Sequence, residues 1–256
     1  MSADAERLWG AMPLGRGVQR LTSDQNGVAA LSKPAGVLSH PNEDSDRPRC
    51  LLGAHYETVE ECYVWTVDGA KEASRLWLLN RLDSATSGVI LVATNGDVAK
   101  EIRAQFKRKQ VSKIYEALVF GKPAKTVEIW RDLLAVAKKG GRIRTAADAG
   151  RVPAESRMTV ARSRGVGEGA MALIQLEPRT GRSHQLRVQC AKRHLPIVGD
   201  QTYGDFGRNR DFARRTGEKR MFLHSLATRF EYEWRGQTHA FTAKAPLPAE
   251  FLKALE

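Results

Sequence analysis

Residues 88–93, Gly-Val-Ile-Leu-Val-Ala, offer no polar side chain to either face of a strand. A half-exposed strand alternates apolar and polar residues, whereas an unbroken apolar run needs cover on both sides. The chain must therefore fold in layers, with this strand in the middle of a core. At 256 residues it is long enough to build one. The residues just before the run have the opposite character: Arg81, Asp83, Ser84, Thr86 and Ser87 crowd against its start. Two explanations fit this polar knot. An Asp ahead of Ser and Thr builds an Asx-turn or ST-turn at a strand entry. Alternatively, a rigid strand presents the Asp83 carboxylate for chemistry. The stretch itself leaves both open.

Elsewhere strands outnumber helices. An Asp68-Gly69 turn between apolar segments predicts a hairpin. Asp97 is expected to cap a helix on which Val98, Ile102 and Phe106 recur every four residues. Residues 112–121 predict a strand with Lys113, Tyr115 and Ala117 on one face. Gly165–Gly169 reads as a hairpin loop, and Ser183 as the cap of a second helix bearing Leu186, Arg187 and Cys190 before Pro196. Near the end, Phe230, Tyr232 and Trp234 alternate with Arg229, Glu231 and Glu233, the pattern of a half-buried strand. Strands in adjacent runs predict an α+β fold with a mixed, largely antiparallel sheet and flanking helices. Residues 1–27 are weakly patterned and are expected to form a lead-in to a domain over 28–256.

Charge narrows the function. Forty-one Lys and Arg against 29 Asp and Glu give +12, an excess that favours polyanions, although it also serves solubility. The excess clusters at 106–113, 138–144 and 208–220, among turn formers and helix ends. No run is long enough to span a membrane, no secretory h-region is present, and three scattered cysteines form no disulfide framework. A cytoplasmic protein with RNA as partner, and with no obligate protein partner, is the expectation. Walker loops, nucleophile elbows and metal-ligand spacings are missing, so neither metal nor cofactor is expected. A second polar knot, Arg179-Thr-Gly-Arg182-Ser-His184-Gln-Leu-Arg187, brings three arginines to a strand-to-helix junction, where they could hold phosphates or a carboxylate.

Five blocks together resemble the RluA-type pseudouridine synthases, which act on rRNA and tRNA. "RLDSATSGVIL" (81–91) is similar to the family's R-L-D-x-x-T-S-G segment, and "SKIYEALVFG" (112–121) to its K-x-Y-x-A-x-V-x-G strand. "RTGRSHQLR" with "HLPIVGDQTYG" resembles its T-G-R-T-H-Q-I-R and G-H-P-I-x-G-D-x-x-Y-G segments. "SKPAGVLSHP" and "FLHSLATRFEY…FTAKAPLPAEF" match its two ends, and the blocks stand in the family's order from about residue 28 to 252. Asn80 replaces the usual His before Arg-Leu-Asp, altering a substrate-side contact, and Ser32 replaces the usual Asn. The stretch before Lys33 is too short for the S4-type module many members carry, so none is expected.

The resemblance implies a pseudouridine synthase fold with a central RNA-binding cleft, and isomerisation of a uridine in RNA by base flipping. Asp83 would be the catalytic carboxylate, whether it attacks sugar or base or removes a sugar proton. Arg187 would pair with it and Tyr115 would stack on the uracil. Arg81 would enter the base stack, while Thr86, Lys113 and Arg182 would contact the substrate. The competing readings are a non-catalytic RNA-binding factor on the same scaffold and a different RNA enzyme.

Overall fold

The central strand forms where the apolar run demands it. The computed structural model describes residues 8–67, 69–70, 72–139, 142–147 and 152–256. Asp68 of the expected turn and the side chains of the 138–144 basic cluster lie outside the described residues. The chain divides into two compact units: residues 1–111 with 227–245, and residues 112–226 with 246–256.

The first unit opens with β1 (Gln19–Ser23) and β2 (Val28–Lys33), followed by β3 (His55–Glu57), β4 (Cys62–Trp65), β5 (Ser74–Leu78) and β6 (Ser87–Ala93). The stretch expected as a lead-in thus supplies β1, which pairs with β2, and the buried side chains of Trp9, Met12 and Val18. The β4–β5 ladder forms the expected hairpin. All seven residues of β6 are buried, between β2 on one edge and β5 on the other. Helix α1 (Gly96–Arg108) lays Val98, Ala99 and Ile102 against Val89, Leu91 and Ala93. Asn95, not Asp97, caps it, its side chain accepting from the N–H groups of Asp97 and Val98. Two Asx residues stand at this start, and the earlier one holds the extended backbone that a cap requires.

The second unit contains β7 (Ser112–Phe120), β8 (Val127–Lys139), β9 (Arg142–Ala147), β10 (Val152–Arg164) and β11 (Met171–Pro178), then α2 (Gln185–Lys192) and α3 (Phe206–Thr216). The ladders β7–β11, β11–β10, β10–β8 and β8–β9 are all antiparallel. On one face Leu118, Phe120, Met171 and Leu173 pack against Phe212 of α3, Phe222 and Phe251. On the other face lies α2. It is capped by His184 in a left-handed conformation at φ 55°, not by the Ser183 side chain. Strand β12 (Leu223–Trp234) starts in this unit and ends in the first, where it pairs with β13 (Gln237–Lys244) and buries Phe230 and Tyr232. A last short helix, α4 (Ala249–Lys253), supplies Phe251. The class is α+β, as expected.

Candidate active site

Of the predicted site residues, Arg81, Asp83 and Thr86 lie in the first unit, and Lys113, Tyr115, Arg182 and Arg187 in the second. In the first, Asp83 opens a β-turn closed by the Thr86 N–H on the Asp83 carbonyl at 3.0 Å. The segment around it is fastened by its main chain. Leu79 N–H reaches Leu91 O at 3.0 Å, and Asn80 Oδ1 accepts the Leu91 N–H at 2.8 Å. So Asn80, expected to change a contact with substrate, ties the loop to β6. Ser39 Oγ donates to the Leu82 carbonyl at 2.8 Å and accepts the Leu82 N–H at 3.0 Å. The Ser84 carbonyl accepts from the Gly36 N–H at 2.8 Å and from the Lys33 ammonium at 3.1 Å.

Lys33 is the residue sequence reasoning passed over. It is 0% exposed, and its Nζ also donates to the carbonyls of Pro34 (3.1 Å) and Val37 (2.6 Å). A buried ammonium needs dense hydrogen bonding, and here it welds the Lys33–Gly36 turn to the Asp83 turn. The lysine in "SKPAG" signals this only because proline and glycine beside it mark a tight turn. Asp83 itself is half-buried, Thr86 is 2% exposed, and Arg81 is exposed with a 3.4 Å surface contact to Glu61.

In the second unit, Tyr115 pairs with Leu176 and Leu176 with Met158, one row across the sheet. Ser156, on the same face as Met158, bonds both Gln185 and Gln189 of α2. Tyr115 and Lys113 therefore share the face that carries α2. A methyl on Gly181 would come within 3.8 Å of Lys113 Nζ, which puts that amine beside the 179–182 loop. Burial holds the Lys113 amine below the usual lysine range. Arg182 is exposed, and its Nε reaches only the Pro153 carbonyl, at 3.5 Å. Arg187 is 7% exposed and forms a two-pronged ion pair with Asp200, Nε–Oδ2 2.7 Å and Nη2–Oδ1 2.8 Å.

Beneath α2 runs a buried polar network that sequence reasoning also missed. Thr180 donates to Gln185, Ser156 to Gln189, and Gln189 to Asp132, which also pairs with Lys192 and Arg193. Burial alone would raise the Asp132 carboxyl; Lys192, Gln189 and Arg193 outweigh it and hold it below the usual range. Gln185 and Gln189 stand four apart, a spacing that from sequence alone reads as a solvated stripe.

Solved structures share this fold. Human RNA pseudouridylate synthase domain containing 1 superposes with a TM-score of 0.67 at 21% identity, covering 93% of this chain and 87% of that one. The human domain-containing-4 protein gives 0.66 at 21%, over 98% and 94%. Residues 27–192 match the model of the RNA pseudouridylate synthase family. The tRNA pseudouridine synthase C of Yersinia pestis is 32% identical over 85% of this chain and 82% of its own. The ribosomal large subunit pseudouridine synthase C of Salmonella typhi is 34% identical over 90% and 66%. The chain belongs to the RNA pseudouridylate synthases, in their RluA-type branch, and is an isomerase of RNA.

Proposed function

We propose that this protein converts a uridine of tRNA or rRNA to pseudouridine in the cytoplasm, with Asp83 as the catalytic carboxylate. The observation that carries the reading is the fastening of the Asp83 turn. Leu79, Asn80, Leu82, Asp83 and Ser84 all give backbone or side-chain hydrogen bonds to holding the segment, so the carboxylate stands on fixed backbone. Catalytic groups need such placement, because small displacements cost large factors in rate. Relatives named for tRNA and for ribosomal RNA support the substrate class.

The uridine leaves its stack, at a cost of about a few kcal/mol. Arg81, exposed beside the turn, fills the space it vacates. The C1′–N1 bond breaks, the uracil turns against the ring of Tyr115, and C1′ rejoins the base through carbon 5. Carbon 5 loses its proton, and no atom of the base is lost. Arg187 pairs with Asp83 in the reacting complex. Lys113 and Arg182 take phosphate oxygens. Thr86, expected at the substrate but buried, shapes the turn.

Tritium release from carbon-5-labelled uridine in RNA tests the proposal. Asp83→Ala should lower turnover by a factor on the order of 10⁴, with circular dichroism and RNA affinity close to wild type. Turnover within tenfold of wild type would falsify the role of Asp83. Retained binding without turnover in the wild-type protein favours the non-catalytic alternative.

A further inference from the structure

Arg187 is a long side chain with four torsions, and a long side chain has to be aimed to be useful. What aims it is the segment 199–203. Asp200, 1% exposed, takes the Nε/Nη2 edge of the guanidinium in both hydrogen bonds of the ion pair. Its Oδ1 also accepts the N–H groups of Thr202 (2.8 Å) and Tyr203 (3.0 Å). The Asp200 carbonyl accepts from Asn209 Nδ2 at 3.0 Å, and Asn209 Oδ1 accepts the Gly199 N–H at 2.7 Å. Gly199 has φ +77°, and a Cβ there would stand 1.8 Å from the Arg220 carbonyl, so only glycine lets the chain turn at this point.

A second grip comes from Tyr203. Its ring lies against the Arg187 guanidinium, 5.1 Å from carbon to centroid. Its hydroxyl meets His184 Nδ1 at 2.8 Å and accepts the Thr145 N–H at 2.8 Å. Thr145 Oγ1 in turn donates to the Ser183 carbonyl at 2.9 Å. His184 is a non-glycine residue in the left-handed region, a conformation that costs about 1–3 kcal/mol unless neighbours over-determine it. Here they do. The five residues from Gly199 thus hold both Arg187 and the turn from which its helix springs.

We infer that Asp200 is a positioning residue for the reaction: it orients the guanidinium of Arg187 so that the edge Asp200 does not take is directed at the catalytic carboxylate. The inference rests on the proposed pairing of Arg187 with Asp83. A guanidinium carries five N–H donors in a rigid fork, so fixing one edge fixes the other. Asp200 also changes what Arg187 offers. Burial would raise the Asp200 carboxyl, yet Arg187 and the two backbone N–H groups hold it below the usual range, so it stays anionic. The pair is close to neutral overall and presents directed donors in place of a bare positive charge.

The experiment is a double-mutant cycle on the full chain, read by tritium release. Asp200→Asn keeps the shape and removes the charge. It should lower kcat roughly 10- to 100-fold, with KM for the RNA within about twofold. Arg187→Lys should also lower kcat, and adding Asp200→Asn to it should change kcat by less than about twofold, because both act through one fork. Equal factors in the two backgrounds would make Asp200 a structural anion only and overturn the inference. Loss of activity in Arg187→Lys with wild-type kcat in Asp200→Asn would overturn it while leaving the pairing intact. Full activity in Arg187→Lys would sink the pairing itself. Should Asp200→Asn not fold, Tyr203→Leu decides: it removes the ring beneath the guanidinium without touching charge. A kcat loss of about threefold or more at unchanged KM supports the grip, and wild-type kcat refutes it.

Discussion

The turn that carries Asp83 and the turn that introduces Arg187 are fixed by different means. Around Asp83 the fastening is mostly peptide group to peptide group, completed by one hydroxyl, one amide and the Lys33 ammonium on three carbonyls. Around Arg187 it is ionic: Asp200 holds the guanidinium, and Asp132 holds Lys192 and Arg193 of the same helix region. The difference follows from what each side chain has to do. A carboxylate meant to react is best held through its backbone, which leaves its oxygens to the substrate. An arginine meant to orient another group can have half its donors occupied without losing its purpose.

The comparison breaks first at Lys33. Lys33→Met fills the same space and removes the donor to three buried carbonyls. It should cost about 3–5 kcal/mol of stability, measured by urea unfolding, and should lower kcat in the molecules that remain folded. A loss below about 1 kcal/mol would mean that peptide groups alone hold the Asp83 turn.

The second unit offers a contrast of sign within itself. Glu116 follows Tyr115 on β7 but points the other way, to the face where Leu118 and Phe120 meet Phe212 and Phe222. It is 7% exposed, its Oε2 has no hydrogen-bond partner, and burial pushes its carboxyl up to about 7. The folded value lies above the ordinary 4.5. The group's contribution is therefore fully present below about pH 4.5 and lost as pH rises through about 7. Asp132 and Asp200, held low, act in the opposite window: what they contribute is lost as pH falls. Glu116→Gln should raise stability by about 2 kcal/mol at pH 8 and by almost nothing at pH 4. Urea midpoints at the two pH values read this, and an equal gain at both would refute the assignment.

How much of this was legible beforehand depends on the range of the interaction. Strand β6 was legible because burial on both faces leaves a local mark, and Tyr115 and Lys113 because a strand's period fixes their shared face. The start of α1 was misplaced by two residues, since Asn95 and Asp97 are chemically alike as caps. The cap of α2 was not legible at all. His184 holds its left-handed turn only through Tyr203 and Thr145, which meet it by folding. Arg187 was legible through the resemblance, but Asp200 as its partner was not, because nothing in the spacing of 187 and 200 requires contact. Buried polar residues are the general difficulty. Thr180, Gln185 and Gln189 look like surface residues in sequence, and only the sheet above them makes them a core.

The smallest expected effect tests the peptide-based fastening at its most delicate joint. Ser39 is 5% exposed, and its hydroxyl is the only printed partner of both the Leu82 N–H and the Leu82 carbonyl among the described hydrogen bonds. Ser39→Ala removes that bridge without introducing a charge or a clash, and it leaves two peptide groups beside Asp83 unsatisfied. Stability should fall by about 1–2 kcal/mol. The more telling readout is kinetic. If the bridge sets where the carboxylate stands, kcat falls several-fold while KM for the RNA stays put, since Leu82 itself is buried and touches no substrate. A variant that loses the stability but keeps kcat would show that Lys33 and Asn80 place Asp83 without help from Ser39. The fastening would then be redundant on the reacting side of the turn and not, as the hydrogen bonds imply, shared among all of its members.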